Sequence, residues 1–140
     1  MGNLIILLDA DDVLLDTGST KTKWMQENLT DADVIAPGRT IKDIQPYECN
    51  RSVLEKIIGH DNYERMTSYV YSQQGTDLTP VYKGAFEGIR ELAKIGEVHV
   101  ISARKPKDVV NTRNWLRNND FMNFLTIARF PQQKILNTLM

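Results

Sequence analysis

The sequence predicts an α/β fold: a parallel sheet with helices on both faces and a helical insert placed directly after its first strand. Three observations point there. Residues 4–8 form an unbroken aliphatic run of the kind that fills a strand buried on both faces. That run ends in Asp9-Ala10-Asp11-Asp12, at the end of the strand where open α/β sheets place their ligands. A second aliphatic run, residues 98–101, follows a helical stretch and stops at Ser102-Ala103-Arg104.

Taken in order, residues 3–9 read as the first strand. Residues 17–82 lack strand-like alternation and read as helical, with breaks at Pro37-Gly38, Pro46 and Gly59-His60. Ser52 with Glu55, and Asp61 with Glu64, have the spacing of capping boxes and are expected to open two of these helices. Phe86, Ile89, Leu92 and Ala93 fall on one helical face, and Gly96 supplies a stop. Pro106 suits the first turn of the next helix, whose apolar face carries Val109, Trp115 and Leu116. Residues 124–128 are expected to form a third strand. The organisation is therefore a core of residues 1–16 and 83–140 around an insert of residues 17–82.

With 140 residues, 41% apolar content and a net charge of −1, the chain suits one soluble globular fold with an ordinary core. A general nucleic-acid binder would need a strong basic excess, which is missing. Cys49 is the single cysteine, so an internal disulfide is excluded and nothing suggests a cysteine-based metal site. The run at residues 4–8 is far too short to span a bilayer and leads into carboxylates instead of a cleavage site. Position 6 lacks the Ser or Thr of a myristoylation signal, and a cytoplasmic location is expected.

The chemistry concentrates in the acidic cluster. Residues two apart on an extended segment project the same way, so Asp9 and Asp11 can converge on one cation. Three carboxylates within four residues repel one another, and a divalent metal relieves that repulsion. Asp9-x-Asp11-x-Val13-Leu14 after a hydrophobic strand, with Ile101-Ser102 ending a second one, resembles the haloacid dehalogenase-like phosphohydrolases. The insert's position, Pro80 to Ala85 leading into a helix, and Val100-Ile101-Ser102-Ala103-Arg104 with Trp115-Leu116 downstream are similar to the capped 5′(3′)-deoxyribonucleotidase-like branch.

The resemblance implies a set of roles. Asp9 would be the nucleophile that forms an aspartyl-phosphate. Asp11 would be the general acid/base. The Asp9 side chain and the Asp11 backbone carbonyl would hold Mg²⁺. Ser102 would hydrogen-bond a phosphate oxygen, and Arg104 would pair with phosphate or with a neighbouring carboxylate. Lys134 would clamp the phosphate, with Lys105 in reserve. The substrate would be a small phosphomonoester, most plausibly a nucleoside monophosphate. Asp12 stands where many relatives carry Gly. Asp16 reads as a loop or hinge residue, and His60 and His99 read as structural. Trp24, Tyr47, Tyr63, Tyr69 and Tyr71 either include a ring that stacks on a base or form the insert's own core.

One family feature is missing. Relatives carry a further acidic motif after a fourth core strand, whereas no Asp or Glu follows Asp120 here. The core is thus expected to be truncated at its C-terminus, or the chain to be a fragment of a longer reading frame. Asn137 would offer a neutral oxygen in compensation. The first strand would become a hydrophobic edge, covered by a second copy of the chain, by residues 135–140 or by another protein. Two further functional readings stay open: a catalytically degenerate binding or regulatory relative, and a polynucleotide-end phosphatase suggested by Arg104, Arg113 and Arg117.

Overall fold

The computed structural model describes residues 4–125 and 127–128. The chain is mixed α/β and divides into two compact units, one up to Asp16 and from Val81 onward, the other Thr17–Pro80. Val81 and Tyr82, counted with the insert in the sequence reading, belong to the first unit. Leu15 bridges to Val81, and the Tyr82 N–H donates to the Leu14 carbonyl at 2.8 Å.

In the first unit, strands β1 (Ile5–Asp9), β2 (Glu97–Ile101) and β3 (Ile127–Ala128) form a parallel sheet in the order β1-β2-β3. Helix α5 (Ala85–Ala93) connects β1 to β2, and α6 (Pro106–Asn118) connects β2 to β3; α1 to α4 lie in the insert. Pro106 occupies the first turn of α6, where its missing N–H costs nothing. The α5 chain ends near Gly96, whose N–H reaches back to the Leu92 carbonyl at 3.2 Å. The third strand is shorter than expected: residues 121–123 are a 3₁₀ turn, and Phe124 keeps helical dihedrals as its C-cap.

Burial on both faces, expected of β1, is not found. Exposed and half-buried residues alternate along it, with Ile6 and Leu8 turned toward the core. That core joins Val98 and Val100 of β2 to Ile89 of α5, Trp115 and Leu116 of α6, and Phe121. Ile6, Leu8, Val98 and Val100 share one sheet face by the strand's period of two. Among the described residues, both helices therefore pack on the same face, not on opposite ones. The reason is topological. Two right-handed crossovers that step the same way along a sheet lay their helices on the same side.

The insert is a helical unit built from α1 (Thr17–Asn28), α2 (Arg51–Ile58), α3 (His60–Val70) and α4 (Gln73–Asp77). Its core gathers Trp24 and Met25 of α1, Leu54 and Ile58 of α2, and Met66 and Val70 of α3. The helix starts differ from those that the capping-box spacing suggests. Asn50 caps α2, its side chain accepting from the Val53 N–H at 3.1 Å, and α3 opens after Gly59, whose φ of 84° only glycine adopts freely. Between α1 and α2 the chain runs through short 3₁₀ turns. Asp33, Asp43 and Glu48 each bond back to the backbone N–H three residues earlier, and Arg39 clamps Asp43 and Glu48 together.

Two close approaches hold α1. Lys21 is buried, donating to the Cys49 carbonyl at 3.0 Å between the rings of Tyr63 and Tyr71. Gly18 lets the turn at Pro46 lie directly on the helix, since a Cβ there would stand 2.5 Å from the Pro46 carbonyl oxygen. Alanine ordinarily strengthens a helix interior by about 1 kcal/mol over glycine. Here the clash wins, and Gly18→Ala is expected to lower stability by about 1–3 kcal/mol in urea unfolding. A stabilised variant would show that the Pro46 turn yields freely.

Candidate functional site

Asp9 and Ile101 pair in register as the last residues of β1 and β2, so the loops that follow leave the sheet at one end. Ala10 extends the ladder by one bond to the Ile101 carbonyl at 3.1 Å. The chain then curls tightly. The Ala10 carbonyl accepts from Leu14 at 2.9 Å and Leu15 at 3.1 Å, while the Asp12 N–H donates to the Leu15 carbonyl at 2.7 Å. This turn sends Leu14 and Leu15 into the core and leaves the three aspartates at the rim.

The turn requires a positive φ at Asp12, 62°. Glycine is most at ease there, and Asp is among the few other residues that tolerate the left-handed region. A β-branched side chain does not. Asp12→Val is expected to cost about 1–2 kcal/mol of stability in denaturant unfolding. An unchanged midpoint would mean that the turn can relax to negative φ.

Asp9 accepts the Ala10 N–H at 2.8 Å. Its carboxyl is pushed above the ordinary 3.8 first by burial, then by the neighbouring charge of Asp11 and, less, of Asp12; the Ala10 hydrogen bond opposes the shift. Asp11 has a different environment. The Arg104 guanidinium grips it from the β2 side, with Nε to Oδ2 at 3.0 Å and Nη2 to Oδ1 at 2.8 Å. Arg104 thus holds a neighbouring carboxylate, one of the two partners left open for it.

Ser102 is buried directly after β2, and its Oγ accepts the Arg104 N–H at 3.2 Å. Among the described residues its hydroxyl proton meets no acceptor, which leaves it able to donate to an incoming oxygen. Lys105 is exposed at the N-cap of α6. Lys134, Asn137 and the segment 135–140 lie outside the described residues. The structure thus brings Asp9, Asp11, Ser102 and Arg104 to one end of the sheet.

The other candidates fall elsewhere. His99 is buried in β2 with its Nε2 3.4 Å from Glu97. His60 belongs to a group that sequence reasoning missed: it joins Glu55 and Glu64 with ligand atoms within 4.8 Å of one another. Arg51 Nη1 already bridges those carboxylates at 2.6 and 2.9 Å, so the cluster has its own cation. The i,i+4 spacing of His60 and Glu64 was the available signal; Glu55 comes from another helix. Of the insert's aromatics, Tyr63 is core, Tyr47 is exposed, and Trp24 and Tyr69 line a hollow of about 300 Å³ with Thr20 and Pro80.

No family model matches the chain, and no curated protein matches it. The chemistry must therefore be read from the donor set itself. Asp9 offers a carboxylate at the exposed end of β1 whose charged form is disfavoured by desolvation and by the charge of Asp11, and all the oxygens in the cluster are hard donors. Hard oxygen donors of this kind suit a small divalent cation such as Mg²⁺, which the Asp9 side chain and the Asp11 main-chain carbonyl would hold. Among the described residues, no helix is long and apolar enough to cross a membrane.

Proposed function

We propose that this chain is a Mg²⁺-dependent phosphomonoester hydrolase of the haloacid dehalogenase-like kind, nucleotidase-like in its insert. The observation that carries the reading is the meeting of Asp9, Asp11 and Ser102 at the ends of two paired parallel strands. Asp9 attacks phosphorus, the ester bond to the leaving alcohol breaks, and an aspartyl-phosphate remains for water to hydrolyse. Asp11, whose two oxygens Arg104 holds in place, serves the leaving oxygen and then the water. Ser102 donates to a phosphate oxygen, and the N-terminal end of α6, beginning two residues beyond Arg104, adds a favourable dipole. Bound Mg²⁺ supplies charge neutralisation between two anionic groups.

A second reading has its own observation. A buried guanidinium on both Asp11 oxygens is also what a purely structural ion pair shows, and this favours a non-catalytic relative that keeps the scaffold for binding.

One assay separates them. Purified protein with Mg²⁺ is offered nucleoside monophosphates and phosphorylated oligonucleotide ends, beside an Asp9→Asn control. Phosphate release lost in the control supports the hydrolase. Release no greater than that control on every substrate selects the binding protein, and release confined to oligonucleotide ends selects a polynucleotide-end phosphatase.

A further inference from the structure

The geometry points to an interface: we infer that the outer edge of β1 pairs with β1 of a second copy, antiparallel about a two-fold axis at Ile6. The inference stands apart from the proposed activity. The Glu97 N–H donates to the Leu4 carbonyl at 2.8 Å, and the Ala10 N–H to Ile101. In a parallel ladder the even-numbered residues of β1 therefore face β2, and Ile5, Leu7 and Asp9 turn their N–H and C=O groups outward. Among the described residues, those of Ile5 and Leu7 have no partner. Leu4, Ile5 and Leu7 are also 53%, 55% and 43% exposed. An apolar, unbulged edge of this kind is one that natural proteins cover.

A second copy is the occupant that the edge itself selects. Residues 4–8 carry no charge, so two copies meet without like charges opposed. With the axis at Ile6, Ile5 lies opposite Leu7 of the second copy and exchanges both backbone hydrogen bonds with it. The same holds in the other direction. Leu4 faces Leu8, and Asp9 faces neither its counterpart nor an aliphatic residue of 4–8. A slip that centres the axis on Leu7 would set Asp9 against Ile5, so this register is the favoured one. The joined sheet keeps its helices on one face. The two Asp9 ends point opposite ways, about 20 Å apart along the strands, leaving both sites open. Edge pairing alone buries less than a standard interface, so the dimer belongs to the weak, concentration-dependent class.

The test is sedimentation and backbone hydrogen exchange on the whole chain from about 5 to about 500 µM, a range that brackets weak association. The expected result is a monomer passing to a dimer, with the Ile5 and Leu7 amides gaining protection in step. Ile5→Lys, on an exposed face, should weaken association about 100-fold while leaving the helical circular dichroism unchanged. Leu7→Lys serves as the second variant. A monomer throughout overturns the inference, as does a dimer whose Ile5 and Leu7 amides stay unprotected or which survives both lysines. Protection of those amides in the monomer, independent of concentration, would mean that another part of this chain covers the edge, and overturns it too.

Discussion

Replacing Arg104 by methionine is expected to lower the unfolding free energy by about 3 kcal/mol, the usual cost of removing one partner of a buried ion pair. The Arg104 side chain is 1% exposed and spends two N–H groups on Asp11, which is 20% exposed. Methionine fills much of the same volume but leaves Asp11 facing an apolar wall beside Asp9 and Asp12. Asp11→Asn, which keeps an acceptor for the guanidinium, should cost only about 1–2 kcal/mol. The double variant Arg104→Met with Asp11→Leu should recover much of the loss, because neither charge is then stranded. Urea unfolding of these proteins together with the Asp11→Leu single variant closes the cycle and measures the coupling. A cost below about 1 kcal/mol for Arg104→Met would show that the pair is no more than a surface bridge.

Asp9→Asn is expected to reduce phosphate release on the order of 10³-fold or more, because the amide cannot form the acyl-phosphate bond. In the metal-free wild type the Asp9 carboxyl should titrate above 3.8 by NMR, because burial and the charge of Asp11 push it up. Stability should move the other way. A carboxyl whose folded pKa is raised binds its proton more tightly in the folded state than in the unfolded one. Its burden on the fold is absent below the unfolded value and grows as pH rises through the folded value. Asparagine removes that burden, so Asp9→Asn should melt higher at pH 7, and the gain should vanish below about pH 4. A lower Tm at pH 7 would mean that the Asp9 carboxylate is stabilising, against the crowding by Asp11 and Asp12. Under the proposed hydrolase reading, function and stability therefore pull apart at this residue.

Much of the site was legible because it is local. Asp9 and Asp11 sit on one strand end, and the turn that presents them is closed by hydrogen bonds spanning five residues or fewer from Ala10 and Asp12. Ser102 took its meaning from the strand before it, and β2 lies where its aliphatic run placed it. Arg104 could not be resolved in the same way. Its partner is 93 residues away in sequence, and a phosphate or a carboxylate would satisfy a guanidinium equally well. The Glu55–His60–Glu64 group stayed hidden for a related reason, since it forms only when α2 and α3 pack.

What the sequence determined by itself is the α/β character, the helical insert after the first strand and the end of the sheet at which the polar residues gather. Those follow from hydrophobic period, turn residues and the order of elements, all carried by neighbours along the chain. Only the tertiary structure decided that, among the described residues, both crossover helices cover one face and that Asp11 is held by Arg104. Each of these depends on which strands become neighbours, and a buried aliphatic run reads the same whether one face or two will be covered.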